Sequence, residues 1–264
     1  MPTIGLVPTM GALHDGHESL IKQSVSENDQ TIVSIFVNPV QFAEHEDYDT
    51  YPTPRQADIN RVNQFSNTSI LMPSITDIYP NGIEGATRIR IPLLDQHWCS
   101  VTRPHFFEGV CTVVLHLFLK IRPTTAYFGE KDYQQLAIIN HMVSDLFLPI
   151  SIKSCPIIRE SDGLAMSSRN QYLSDQDRSQ AGILYETIQI ALSLVNHGIR
   201  DISAIINACK KHILTAPNAQ IDYIGIADAS TLSPCYDTLK SGDRLMLAII
   251  IGNTRLIDNA QLVE

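Results

Sequence analysis

The strongest constraint on this chain is the way short apolar runs alternate with helix-patterned segments. Ile4-Gly5-Leu6-Val7 ends at Pro8, "TIVSIFVN" covers Thr31 to Asn38, and "SILMP" covers Ser69 to Pro73. "AYFG" follows at Ala126 to Gly129, and "ISIKSCPIIR" at Ile150 to Arg159. The first runs are nearly continuous in apolar residues, as strands covered on both faces are. Helical spacing fills the intervals: Ser19 through Val25, "DINRVNQF", "GVCTVVLHLFLKIRP" (Gly109 to Pro123) and "YQQLAIINHMVSDLF". Parallel neighbours need crossover connections, so the expected fold is α/β: a Rossmann-like parallel sheet with helices on both faces.

The texture changes after that series. "SDGLAMSSRN" reads as a polar loop. A helix is expected from about Asp175 to Val195 and another near Ile202 to Leu214, followed by strand-like "IDYIGIAD", "RLMLAIII" and "TRLIDN". We therefore expect a Rossmann-like domain over 1–157 and a smaller C-terminal α+β domain over 158–264. With 44% hydrophobic and 18% charged residues the chain has an ordinary globular composition, not a disordered one.

A formal charge of −9 argues against a nucleic-acid partner, while leaving room for a small anion in a locally basic cleft. The five cysteines form no CxxC pair, the usage of reduced thiols in the cytoplasm. No signal peptide is expected, because a strand-like run follows Met1 almost at once. No apolar run reaches the roughly 18 residues of a membrane helix.

Four stretches carry chemistry. "PTMGALHDGH" (Pro8 to His17) turns a strand into a helix. Gly11 and Gly16 would let backbone approach a phosphate, and His14 and His17 would donate hydrogen bonds at the helix amino end. Half of a metal site and two unrelated surface histidines are the competing readings; no further ligand cluster lies nearby in sequence to support the first. "FVNPVQF" (Phe36 to Phe42) brings Asn38 and Gln41 to the same sheet edge. Asn-Pro alone is a turn signal, whereas the Gln41 amide between apolar neighbours wants partners.

"FGEKDYQQ" (Phe128 to Gln135) sets Glu130, Lys131 and Asp132 beside Gly129. This is either a solvated turn or a site with Lys131 as phosphate cation and Asp132 as ribose acceptor. In "GLAMSSRN" (Gly163 to Asn170), Ser167, Ser168 and Arg169 suit a polyphosphate. A helix cap explains Ser174 with Asp175 but not that run.

Together with "YPTPR", "GVCTVV" and the late "RLIDN", these stretches closely resemble the pantothenate synthetase (pantoate–β-alanine ligase) family over almost the whole chain. The first stretch resembles the HIGH motif of nucleotidyltransferases. The resemblance implies a two-step reaction with Mg2+ and ATP. Pantoate would be adenylated, and β-alanine would then displace AMP to give pantothenate. It further implies an ATP segment at Met10, Gly11, Ala12, Leu13, His14, Asp15, Gly16 and His17, with His17 as proton donor. A second ATP segment would be Gly129, Glu130, Lys131 and Asp132. Ile158 would meet adenine through its backbone, and Met166, Ser167, Ser168 and Arg169 would form a phosphate loop serving as a lid. Gln41 and Gln135 would contact pantoate and β-alanine. His17, His14 and Lys131 are the expected catalytic residues, no protein-held metal is implied, and a homodimer is.

Two departures stand out. The family is expected to carry a strand and a helix before the segment matching Ile4, where this chain begins, so either an element is lost or the start is misplaced. In "RPHFFEG", Phe106 falls where a histidine is expected, with His105 one place early and Arg103 retained. Other readings are an adenylyl- or cytidylyltransferase acting on a phosphorylated precursor, and a nucleotide-binding module without catalysis. Gln41 and Gln135 in their contexts stand against the first. Intact His14, His17, Lys131 and Arg169 stand against the second. A tRNA synthetase would need an anticodon-reading domain or basic face.

Overall fold

The structure, a computed structural model, describes residues 2–43 and 46–263. The chain parts into two compact units: Met1–Glu130 with Gln134–Pro156, and Lys131–Tyr133 with Ile157–Glu264.

Five parallel strands form the first unit: β1 (Ile4–Thr9), β2 (Gln30–Ile35), β3 (Thr68–Leu71), β4 (Thr125–Gly129) and β5 (Ser151–Cys155), in the order β3-β2-β1-β4-β5. Its helices are α1 (Asp15–Glu27), α2 (Arg55–Val62), the single turns α3 (Ile75–Ile78) and α4 (Cys99–Thr102), α5 (Phe106–Ile121) and α6 (Tyr133–Asp145). Leu6 and Val7, consecutive in β1 and so on opposite faces, are both fully buried, which requires cover on both sides. Leu20 and Ile21 of α1 pack with Val7, Val33 and Tyr127 in one such layer.

The chain lays β2 and β3 to one side of β1, then returns to place β4 and β5 on the other. Strand order thus reverses between β1 and β4, and a crevice opens at the carboxyl ends of strands flanking such a switch point. Gly5 pairs with Thr125 and Leu6 with Ala126; carried forward, that register sets Thr9 level with Gly129.

The second unit carries an antiparallel sheet of β6 (Ala219–Ala227), the short β7 (Pro234–Cys235), β8 (Arg244–Ile251) and β9 (Thr254–Gln261), ordered β7-β6-β8-β9. It also holds α7 (Asp175–Arg178), α8 (Ile183–Asn196) and α9 (Ile202–Ile213). Ile188, Ile205, Leu247 and Ile249 are fully or almost fully buried in its core. The expected fold class, a parallel α/β sheet with a smaller α+β part, is what the chain adopts.

Local differences have local causes. Helix α1 starts at Asp15 rather than after His17, because His14 itself is the N-cap. Strand β2 stops at Ile35, and Asn38 instead caps a 3-10 turn over Pro39–Gln41. The single helix expected over Asp175 to Val195 is two, since Gln180, Ala181 and Ile183 bond three residues back and tighten the chain between them. Helix α5 ends at Arg122 in a left-handed conformation (φ +54°), as the following Pro123 disfavours continuing the helix. All five cysteines are free, and burial pushes the Cys111 thiol up to about 12, leaving it protonated and inert.

Candidate active site

The turn between β1 and α1 sits at the switch point, and its backbone is almost wholly self-satisfied. Gly11 N–H donates to Thr9 Oγ1 (3.2 Å), and Ala12 and Leu13 N–H donate to the Asp58 carboxylate (3.0 and 2.8 Å). His14 N–H donates to His17 Nδ1 (3.3 Å), Gly16 N–H to His14 Nδ1 (3.2 Å), and His17 N–H to the His14 carbonyl (2.8 Å). The Gly11 and Gly16 N–H groups are thus engaged within the turn. Gly11 is needed for conformation and space. Its φ is +91°, and a Cβ there would lie 3.0 Å from Asp58 Oδ2 and 3.1 Å from Ile35 Cγ2.

The same bonds fix the histidines. Each Nδ1 accepts from a backbone N–H, so each neutral ring carries its proton on Nε2. The rings lie 4.1 Å apart between centroids, tilted by 40°. The pair therefore carries its two ring N–H groups on Nε2, at the amino end of α1, where the helix dipole favours an anion. Arg61 of α2 pairs with Asp15 (3.4 Å) and with Glu18, offsetting the two carboxylates of that first turn. Leu13 is buried beneath the turn, and the Met10 sulfur accepts from Gln41 Nε2 at 3.0 Å.

Gln41 hangs from a second self-satisfied turn. Fully buried Asn38 donates to Gln41 Oε1 (3.1 Å) and to the Gly109 carbonyl (3.0 Å), and accepts from Val40 N–H (3.3 Å) and Tyr79 O–H (2.7 Å). Burial pushes the Tyr79 hydroxyl up to about 12, so it stays a donor. Gly109 permits the contact with α5, since a Cβ would sit 2.8 Å from the Val40 carbonyl. Arg103 donates to the Gln41 carbonyl (3.1 Å) and to the Glu46 carboxylate, and its guanidinium lies 3.7 Å over the Phe106 ring. The phenylalanine at the altered motif thus supports Arg103. Asn38, Asp58, Arg103 and Tyr79 hold the candidate site's residues in place; the sequence points to Asn38 and Arg103 but not to Asp58 or Tyr79.

Gln134 and Gln135 divide their work. Gln134 is buried, accepting from Cys99 N–H (3.1 Å) and donating to the Leu94 and His97 carbonyls and Ser100 Oγ (3.2, 2.9 and 3.0 Å). The Gln135 amide, half-buried one residue on, has no hydrogen-bond partner among the described residues. Gly129 ends β4 with open space where a Cβ would be.

In the second unit, Ile158 to Met166 double back on themselves. Met166 N–H meets the Ile158 carbonyl (2.9 Å), Arg159 bridges Ala165, and Glu160 N–H meets the Leu164 carbonyl (2.8 Å). Ser167 caps the 3-10 turn Ser168–Tyr172 by accepting from Arg169 N–H (3.3 Å). Asn170 ties this loop to Glu160 (2.6 Å) and the Ala165 carbonyl (3.2 Å). Two consecutive residues of β9 hold one residue from each of the unit's two chain segments. Asp258 holds Arg159 through two bonds (2.6 and 3.1 Å), and Asn259 donates to the Lys131 carbonyl (2.9 Å). The Lys131 ammonium lies 3.6 Å from the Asp132 carboxylate, and Tyr133 stacks under Arg244 at 3.8 Å. This gives the "RLIDN" motif a structural purpose. Glu130, in the first unit, opens the 3-10 turn Glu130–Asp132 that these residues share.

Among the described residues no group of three or more His, Cys, Asp or Glu is arranged to hold a metal, and no helix is long and apolar enough to cross a membrane.

Comparison with known proteins points to one family. A family model described as pantoate-beta-alanine ligase matches residues 1–261. A pantothenate synthetase of Clostridium botulinum is 47% identical over 257 residues, covering 97% of this chain and 90% of the relative. One from Thermosipho africanus is 44% identical over 259 residues, covering 97% and 91%. The crystal structure of pantothenate synthetase from Thermus thermophilus superposes with a TM-score of 0.95 at 38% identity, covering 99% of this chain and 94% of that one. The Francisella tularensis enzyme, complexed with beta-gamma ATP and beta-alanine, gives 0.79 at 37% identity, covering 99% and 90%. Matched along nearly its whole length in sequence and in fold, this chain belongs to the pantoate–β-alanine ligase family.

Proposed function

We propose that this ligase joins pantoate to β-alanine at the expense of ATP through a pantoyl-adenylate intermediate. In the first step the pantoate carboxylate attacks the α-phosphate of ATP and pyrophosphate leaves. In the second the β-alanine amine attacks the acyl carbon, AMP leaves, and pantothenate forms. Domain 1–157 takes ATP and pantoate, and domain 158–264 supplies the phosphate loop.

The observation that carries this reading is the pair of backbone N–H bonds to Nδ1 of His14 and His17, which assigns the ring protons to Nε2. With both Nδ1 atoms accepting from backbone, both rings are donors on Nε2, as charge developing on transferred and departing phosphates requires. The nucleophiles come from the substrates, so the chain's task is to position and to stabilise charge. His17 and His14 donate to the phosphates, with Lys131, Ser167, Ser168 and Arg169 as further donors. Met10, Gly11, Ala12, Leu13, Asp15 and Gly16 shape the nucleotide's bed, with Gly129, Glu130 and Asp132 as a second segment and the Ile158 backbone toward adenine. Gln135, its amide without a partner among the described residues, and Gln41, with its amide fixed by Asn38, take pantoate and β-alanine.

Magnesium bound mainly by substrate phosphates and water needs few protein ligands, so in this reading the ion arrives on ATP. When bound it neutralises phosphate charge; no side chain is assigned to it. The reading includes a cytoplasmic homodimer, whose mass in solution light scattering measures.

Exchange of labelled pyrophosphate into ATP tests the scheme. It should depend on pantoate and proceed without β-alanine. Exchange that requires β-alanine overturns the stepwise scheme, and exchange supported by a phosphorylated precursor in place of pantoate assigns the chain to a different transferase.

A further inference from the structure

Asp58 of helix α2 lies outside every motif that suggested the site, yet it holds the turn that carries both histidines. Asp58 is 2% exposed, and its two carboxylate oxygens accept from two consecutive backbone N–H groups, Ala12 (3.0 Å) and Leu13 (2.8 Å). Consecutive backbone N–H groups at a strand-to-helix turn are the usual seat of a bound phosphate. Here the seat is filled from within by a carboxylate. Ala12 is held at φ +49°, a left-handed conformation that a non-glycine residue keeps only when its surroundings impose it.

We propose that Asp58 is a positioning residue for nucleotide binding, and that by occupying the amides of Ala12 and Leu13 it sets the turn in which His14 and His17 present Nε2–H. The chain of causes is short. Asp58 fixes Ala12 and Leu13; Leu13 leads directly into His14 at the N-cap; the cap geometry brings His14 N–H to His17 Nδ1 and Gly16 N–H to His14 Nδ1. One turn further along α2, Arg61 engages Asp15 and Glu18, so the same helix steadies the turn from its other end. A carboxylate is required at position 58, because both of its partners are donors. An asparagine there offers one acceptor and turns an NH2 donor against the remaining N–H.

The inference rests on the reading of the histidines as phosphate donors, and its test separates the two. Wild type, Asp58→Asn and Asp58→Ala are compared by long-range 1H–15N correlation spectra of the imidazoles, with KM for ATP and for pantoate measured alongside. Wild type should show both rings as Nε2–H. Asp58→Asn should melt cooperatively, show mixed tautomers at His14 and His17, and raise KM for ATP by about tenfold or more, as loss of a charge-assisted bond implies. KM for pantoate should stay within about threefold, because the Gln41 turn is held by Asn38 and Arg103 rather than Asp58.

Wild-type tautomers in folded Asp58→Asn, or an unchanged KM for ATP, overturn the proposal. So does an Asp58→Asn protein that does not fold, which would make Asp58 a stability residue only. If the tautomers shift as expected but the wild type shows no pantoate-dependent pyrophosphate exchange, the proposed reaction fails while the positioning of the turn stands.

Discussion

Arg159 and Asp258, ninety-nine residues apart, meet through two hydrogen bonds of 2.6 and 3.1 Å, with the aspartate side chain fully buried. The pair fastens the stem of the Met166–Arg169 loop to β9, with Arg159 also donating to the Gly163 carbonyl at 3.0 Å. Asp258→Asn keeps the shape but leaves the guanidinium facing a neutral amide. Removing one partner of a buried pair is costly, and the partial exposure of Arg159 moderates it. The expected loss is about 2–3 kcal/mol in urea unfolding, with a further rise in KM for ATP. A variant as stable as wild type would show that the pair is dispensable.

Gln134 and Gln135 should respond in opposite ways to the same substitution. Gln134→Ala removes an amide engaged with four groups around Cys99 and should cost roughly 2–3 kcal/mol of stability. Gln135→Ala removes an amide with no partner among the described residues. Its melting temperature should match wild type while KM for pantoate rises and ATP affinity in calorimetry holds. Unchanged pantoate kinetics would remove Gln135 from the substrate site.

How far the sequence reveals each residue's role depends on where its partners lie. Strand β4 and the start of β1 are legible because a short apolar run ending at Pro or Gly is a local signal, although β1 runs on through Pro8 to Thr9, where Pro8 and Thr9 still pair with β2. The start of α1 is hidden because a histidine N-cap lacks the usual Ser, Thr, Asp or Asn signature. Asn38 reads as a sheet-edge residue or a turn, and its supporting role stays hidden because its bonds to Gly109 and Tyr79 span 71 and 41 residues. Asp58 is invisible as a site residue for the same reason: it serves backbone groups 45 and 46 residues away, and no pattern in "DINRVNQF" marks that. Phe106, which looks like a break in a motif, finds its purpose in the Arg103 guanidinium above it.

Acid stability of the second unit should depend on Asp228. Its carboxylate accepts from the Ser230 and Thr231 hydroxyls and N–H groups, which bring it down from 3.8 to about 2. A depressed carboxylate contributes stability that is complete above its unfolded value and is lost as pH falls through its folded value. The stability gap between wild type and Asp228→Ala should therefore be constant above pH 3.8 and close as pH drops toward about 2. Denaturant titrations across that window measure it; a gap independent of pH would contradict the assignment.

The central claim is that the two histidines donate to the phosphates while charge moves onto them. A single-turnover measurement of pyrophosphate release, with pantoate and ATP but no β-alanine, on folded His17→Ala tests it most directly. Loss of a well-placed donor to developing charge costs about 10²–10³ in rate, so the account predicts a slowing of at least about a hundredfold with the melting temperature little changed. A loss of less than about threefold, far below what such a donor supplies, would contradict it.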